Sequence, residues 1–429
     1  MIARILVYQL FGIYNYKISF SEDQRITILT GPNGYGKTTL LKILHHLFTC
    51  QFWYFYFLPF ASVQIVFEKG MTLIMEKHKG EPEDKHREDR TSFFSQGDVT
   101  FRLVDKEQSM LESFTLAEKD IRYLKRQLTL PYRQRYQGGL DWEELFAHSH
   151  EMDFDVELLD KSKNVRMFLQ EHKCVFVKEQ RIIASTFDSE PRKISNHYEI
   201  DDIAIQLRDE FVRQQTVFAT ESQKIDSSFI KRLVQSRGVK YDEDAFQEKL
   251  SLLKTKINDY KKYGLVPQID ILDQYPKCFH DVLSLYIDDM ARKMSTFDRF
   301  YKQLSLFDRF VSDKVLSNKH IELNETKGFC VLNDWGEEIP LHRLSSGEQN
   351  LIILCYKLAF STDTRTVLLI DEPENSLHMA WISSMLEDYQ RMADDLKCQI
   401  IIATHSPAFI NGRWDLSVDL YLNHTAYQQ

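Results

Sequence analysis

The apolar positions of this chain change period several times, and those changes outline its elements. Met1 to Tyr8 alternates like a strand, and Arg25 to Thr30 is a short β-branched run that ends at a glycine-rich loop. Leu40, Leu41, Leu44 and Leu47 then recur at helical spacing. Ser62–Phe67, Met71–Met75 and Val99–Val104 read as further strands, the first two joined by a Lys69-Gly70 turn. Lys79–Arg90 is almost wholly charged and reads as a solvated loop. Residues 106–170 are mostly helix formers, followed by a brief apolar strand at Cys174–Val177. Residues 196–312 are again helical and charged, with Ile203, Leu207, Phe211, Leu250, Leu253 and Ile257 on their apolar faces. Heptads are not sustained there, which argues against a long coiled coil. Residues 319–429 return to α/β alternation. The pattern predicts an α/β fold split by helical segments, with divisions at 1–110, 111–170, 171–190, 191–318 and 319–429.

Several positions carry chemistry. Gly31-Pro32-Asn33-Gly34-Tyr35-Gly36-Lys37-Thr38 fits a phosphate-binding loop, with a strand before it and a helix after it. Glycines let successive backbone N–H groups turn inward around phosphate oxygens, and the helix N-terminus adds its positive end. Gly31, Asn33, Gly34, Gly36, Lys37, Thr38 and Thr39 are the expected nucleotide contacts, with Thr38 also a magnesium ligand. Thr366 to Pro373 is an apolar strand ending in two adjacent carboxylates. Neighbours on a strand face opposite ways, so Asp371 is expected to hold Mg²⁺ while Glu372 activates water. Leu344-Ser345-Ser346-Gly347-Glu348-Gln349 opens a helix with serine and glycine, which is either a second anion site or a capped helix start. The acidic triplet Asp242-Glu243-Asp244 reads as a helix cap rather than a metal cluster.

Composition narrows the class. Hydrophobic content of 43% with 27% charge suits a soluble globular protein, and a net charge of -9 argues against a whole-protein grip on nucleic acid. The run from Arg122 to Tyr136 holds five basic residues and no acid, so DNA stays a candidate partner beside the plainer reading of a solvated helix face. The six cysteines form no CxxC pair, and the N-terminus has no apolar leader segment. The aromatic stretch Phe52–Phe60 is too short to span a bilayer and reads as packing. A cytoplasmic protein with no membrane association is expected.

Taken together, these motifs resemble the ABC-class ATPases. Leu344 to Gln349 looks like their LSGGQ signature, 26 residues before Asp371. The resemblance implies an ABC-type P-loop head interrupted by helical insertions, and a signature whose Ser345, Gly347 and Glu348 contact nucleotide held by a second copy. It also implies that His405, in Ile400 to Pro407, is the switch histidine that senses γ-phosphate. Gln180 would be the Q-loop ligand to Mg²⁺ and water, and Asn375-Ser376-Leu377-His378 would be the D-loop along a dimer seam. Lys37, Glu372 and His405 would then be catalytic, with ATP and Mg²⁺ as cofactors.

The set is similar to the RecF- and OLD-like group, and within it to ATPase subunits of bacterial anti-phage systems: the AriA type of PARIS, then the PtuA type of Septu. OLD proteins carry a TOPRIM nuclease after the ATPase, but only 24 residues follow His405 here. The resemblance therefore implies an ATPase scaffold without a nuclease centre of its own. Its partners would be a second copy or a higher assembly such as a hexamer, a separate nuclease effector (TOPRIM-type, or HNH-type), and a phage-encoded trigger protein. A RecF-like DNA clamp is the alternative.

Overall fold

The computed structural model describes residues 1–21, 24–78, 97–121, 161–178, 183–187, 194–235, 241–266, 279–312, 318–361, 366–375, 377 and 379–423, and the structural statements below concern those residues. Contacts divide the chain into two units, 1–179 with 362–429, and 180–361.

In the first unit, strands β1 (Ile2–Leu10), β2 (Tyr14–Ser19), β4 (Ser62–Phe67), β5 (Thr72–Lys77), β6 (Val99–Val104) and β7 (Met110–Leu116) form an antiparallel sheet in the order β2-β1-β4-β5-β6-β7. Ile2, Ile5, Val7 and Leu10 of β1 are buried, and a bulge after Val7, where Gln9 takes φ 52°, lets Leu10 rejoin the core side. Strands β3 (Ile26–Thr30), β8 (Cys174–Val177), β14 (Val367–Asp371), β15 (Gln399–Ala403) and β16 (Ser417–Asp419) form a parallel sheet in the order β16-β3-β15-β14-β8. Val367–Ile370 and Ile400–Ala403 are fully buried, as parallel strands covered on both faces require. Helix α1 (Lys37–Phe48) buries the expected Leu40, Leu41, Leu44 and Leu47 in the core cluster that joins the two sheets. Buried Gln399 ties the sheets at one end, accepting from Ile2 N and donating to Ile2 O, both at 2.9 Å.

The aromatic stretch packs as expected. Phe52 precedes the short helix α2 (Trp53–Phe57), and its ring lies 5.0 Å from Phe101 and 5.2 Å from Phe114. Phe101 and Phe114 stack at 4.7 Å. That contact corrects one expectation: residues 110–116, within a segment of helix-forming composition, are strand β7. Pairing with β6 and burial of Phe114 and Leu116 override local propensity there. Helix α3 (Lys163–Gln170) is helical as predicted. Among the described residues no helix is long and apolar enough to cross a membrane.

The second unit holds the antiparallel pair β9 (Ile183–Phe187) and β10 (Ile194–Tyr198), then helices α4 (Glu199–Gln235), α5 (Glu243–Lys261), α6 (His280–Ser295) and α7 (Asp298–Ser312). A small antiparallel sheet follows, β11 (Lys319–Asn324), β12 (Gly328–Asn333) and β13 (Glu338–Ile339), and then α8 (Ser346–Ser361). Ile200, Ile203, Ala204, Leu207 and Phe211 make a buried stripe along α4. Gly328 sits against that helix: a Cβ there would lie 2.1 Å from Ala204 O, so the β11–β12 turn tolerates only glycine. The acidic triplet caps a helix, with Asp242 accepting from Ala245 N at 2.9 Å and Glu243 and Asp244 in the first turn of α5. The expected fold class, α/β with a mixed set of sheets interrupted by helical segments, is the one observed.

Candidate functional site

The glycine loop leaves β3 and enters α1. Gly31, Gly34 and Gly36 take φ 136°, 86° and 78°, values that side chains disfavour. Gly36 is the N-cap of α1; no side chain caps the helix and no acid occupies its first turn, so its leading N–H groups stay available to an anion. Asn33 is exposed at the loop tip and Thr39 is half-buried in the first helical turn. Tyr35, the bulky residue of the loop, is built in rather than merely tolerated. Its carbonyl accepts from Tyr16 Oη at 2.6 Å, and its ring packs against Tyr14 and Tyr421 at 5.2 and 5.7 Å.

Parallel register brings the remaining groups to the same edge. Asp371 pairs with Ala403, and Ala403 with Leu29, so β3, β14 and β15 end level beside the loop. Lys37 is 6% exposed, and its Nζ donates to Gly31 O at 2.9 Å and Pro32 O at 3.2 Å. Burial lowers the Lys37 pKa, against the pull of Glu372, Asp371 and Glu374. Thr38 Oγ1 donates to Asp371 Oδ1 at 3.0 Å. His405, just beyond β15, bridges two of the expected catalytic groups: Nδ1 lies 3.4 Å from Lys37 Nζ and Nε2 lies 3.5 Å from Glu372 Oε1.

The two adjacent acids part by a different route from the one expected. Asp371 closes β14, but Glu372 lies beyond the strand with φ 43°, its N–H donating to Ala403 O at 2.9 Å. A left-handed turn at a non-glycine residue, rather than strand alternation, aims the two carboxylates apart. Thr38 and Asp371 supply hard oxygens suited to Mg²⁺, which keeps several waters and bridges to phosphate instead of needing a full protein cage. Among the described residues no cluster of three or more His, Cys, Asp or Glu forms a self-sufficient metal site.

Ser345, Gly347 and Glu348 lie in the second unit. Glu348 and Ser345 form a reciprocal capping box at the start of α8. Glu348 Oε2 accepts from Ser345 N at 2.9 Å and Oγ at 2.8 Å, and Glu348 N donates to Ser345 Oγ at 3.3 Å. Its Oε1 accepts from Lys319 at 2.7 Å. Burial works to raise the Glu348 pKa, but Lys319 and Ser345 together hold it below the usual carboxylate value. Both carboxylate oxygens of Glu348 are thus engaged in shaping the helix start, while the Ser345 side chain stays exposed. Gln349, 4% exposed, pins the same turn by donating to Leu344 O at 2.8 Å.

Gln180, Ser376, His378 and the basic run 122–136 lie outside the described residues. Sequence reasoning passed over Glu374, Thr404, Tyr16 and Lys319. Only Glu374 carried a signal, as a third acid in Asp371-Glu372-Pro373-Glu374.

A scan of family models matches residues 9–410 to the family described as AAA ATPase domain. No curated protein matched. Solved structures with some likeness include an Smc head domain with an extended coiled coil from Pyrococcus furiosus, bound to the C-terminal domain of ScpA. It shares 13% identity at a TM-score of 0.36, over 95% of this chain and 90% of that one. The SMC head domain from Thermotoga maritima shares 12% at 0.31, over the same fractions. The assignment rests on the family match, which covers both the glycine loop and β15: the chain belongs to the AAA ATPase domain family.

Proposed function

We propose that this chain binds ATP with magnesium, hydrolyses it, and uses it to pair two copies of itself. The observation that carries the reading is the gathering of Lys37, Thr38, Asp371, Glu372 and His405 at one edge of the parallel sheet. Lys37 exchanges the carbonyls of Gly31 and Pro32 for the β- and γ-phosphates, and the uncapped start of α1 receives phosphate oxygens. Thr38 and Asp371, with Gln180 as a third protein ligand, would hold a magnesium ion, which would supply charge neutralisation at the phosphates. Glu372 orients the attacking water and accepts its proton, and His405 couples that carboxylate to the γ-phosphate end of the site. Ser345 and Gly347 at the start of α8 form a second anion cradle, which a second copy's nucleotide fills in the ABC manner.

The cellular role that fits the motif resemblance is the sensor and scaffold subunit of a bacterial anti-phage complex. The chain holds a separate nuclease, TOPRIM-type by preference, and releases it on meeting a phage product. Steady-state phosphate release by the parent and by Lys37→Ala, with mass by light scattering with and without ATP, tests the core of this reading. The parent should turn over ATP and double in mass; Lys37→Ala should do neither. A parent with no magnesium-dependent turnover sinks the proposal.

A further inference from the structure

Glu374 connects the two loops that carry Glu372 and His405, and the motifs read from the sequence give it no task. Its Oε1 takes the hydrogen bond of the Thr404 hydroxyl and that of His405 N–H, the latter at 3.2 Å. Thr404 is fully buried, and its Oγ1 in turn accepts from Ser406 N at 2.9 Å. Ser406 then caps α9 (Pro407–Ile410) through Phe409 N at 3.3 Å, and Phe409 is buried. The turn 404–406 is therefore held from the acidic loop at one end and from the core at the other. His405 itself is exposed, and no other bond among those described fixes its backbone N–H. Glu374 Oε2 is buried and has no partner among the described residues, so only Oε1 does the holding.

We infer that Glu374 is the positioning residue for His405: it sets where the imidazole stands between Lys37 and Glu372, without touching the reacting atoms. The left-handed turn at Glu372 and the following Pro373 swing Glu374 back under the switch loop, so one short segment fixes both the water-activating carboxylate and its histidine neighbour. A side chain acting this way affects the chemical step more than nucleotide binding, because its loss lets the ring drift while the glycine loop stays intact.

The inference rests on the ATPase reading above, and the experiment separates the two. Glu374→Ala should lower kcat by about 10- to 100-fold with KM for ATP nearly unchanged. Glu374→Gln should recover most of that loss, because its carbonyl oxygen still accepts both bonds and no bond at Oε2 is forfeited. Thr404→Val, which keeps the shape but removes one of the two donors to Glu374 and the acceptor for Ser406 N, should also lower kcat. In a His405→Ala background, Glu374→Ala should cost nothing more, a masking that a general packing defect does not produce. A parent without ATP turnover defeats the ATPase reading itself. With an active parent, a Glu374→Ala enzyme of parental kcat overturns the inference. So does a Gln variant as slow as Ala, or a full loss persisting in the His405→Ala background.

Discussion

Replacing Glu348 with alanine removes, in one step, the acceptor for Ser345 N, Ser345 Oγ and Lys319 Nζ. Loss of the capping box alone costs about 1 kcal/mol. Lys319, whose side chain is 26% exposed, is left with a partly buried charge. Breaking a fully buried pair costs about 3–5 kcal/mol, but Lys319 can reach water, so about 1–2 kcal/mol is the fitting share. The sum, about 2–3 kcal/mol, corresponds to about 4–12 °C in Tm for a domain of this size. Differential scanning calorimetry at pH 7 measures it directly. The Glu348 pKa is lowered on folding, so its contribution is present above the ordinary carboxylate value and fades as pH falls through the folded one. The gap between parent and variant should therefore shrink on acidification. A variant melting within 1–2 °C of the parent at pH 7 (roughly the effect of a neutral surface change) refutes the capping account. A double replacement, Glu348→Ala with Lys319→Met, should regain about half the loss, because no charge is stranded.

Two further outcomes follow from the core of the first unit. His46 stacks on Tyr54 at 4.1 Å and bonds Gln51 Oε1 at 2.6 Å, and burial pushes its pKa down to about 4. The unfolded chain takes up a proton at this residue below its ordinary value of 6.5, while the folded one refuses it down to about 4. Stability should therefore fall across that window, by up to about 3 kcal/mol, and urea titrations of His46→Phe should show a flatter pH dependence than the parent. Phe101, in ring contact with Phe52, Phe55 and Phe114, should cost about 3–5 kcal/mol when replaced by alanine, read as a lower urea midpoint.

What the sequence made legible divides along physical lines. The glycine loop, Asp371, Glu372 and His405 stood out because each lies at or just past the end of a short apolar strand, and parallel register then brings strand ends together without further information. The periodic leucines of α1 were equally plain, since a buried helix face repeats at a fixed interval. Strand β7 was not legible: Met110–Leu116 lies in a segment of helix-forming composition, and its conformation comes from pairing with β6. Glu374 was hidden for another reason. Its role depends on the left-handed turn at Glu372, which no periodicity announces. The packing of Tyr35 was not legible because its partners, Tyr14, Tyr16 and Tyr421, come from opposite ends of the chain. Ser345 and Glu348 were visible as a pair, but the bond from Glu348 to Lys319, 29 residues away, was not.

Glu372 carries the proposed hydrolysis. The decisive measurement is the rate of phosphate release by Glu372→Gln under saturating ATP and magnesium, beside nucleotide binding by the same protein. The amide keeps the size of the side chain and its reach toward His405, but it cannot take a proton from water. Binding should survive while turnover drops by at least about 100-fold, with the doubled-mass species accumulating. Turnover at the parental rate with binding intact would contradict the role given to Glu372 and, with it, the site proposed for hydrolysis.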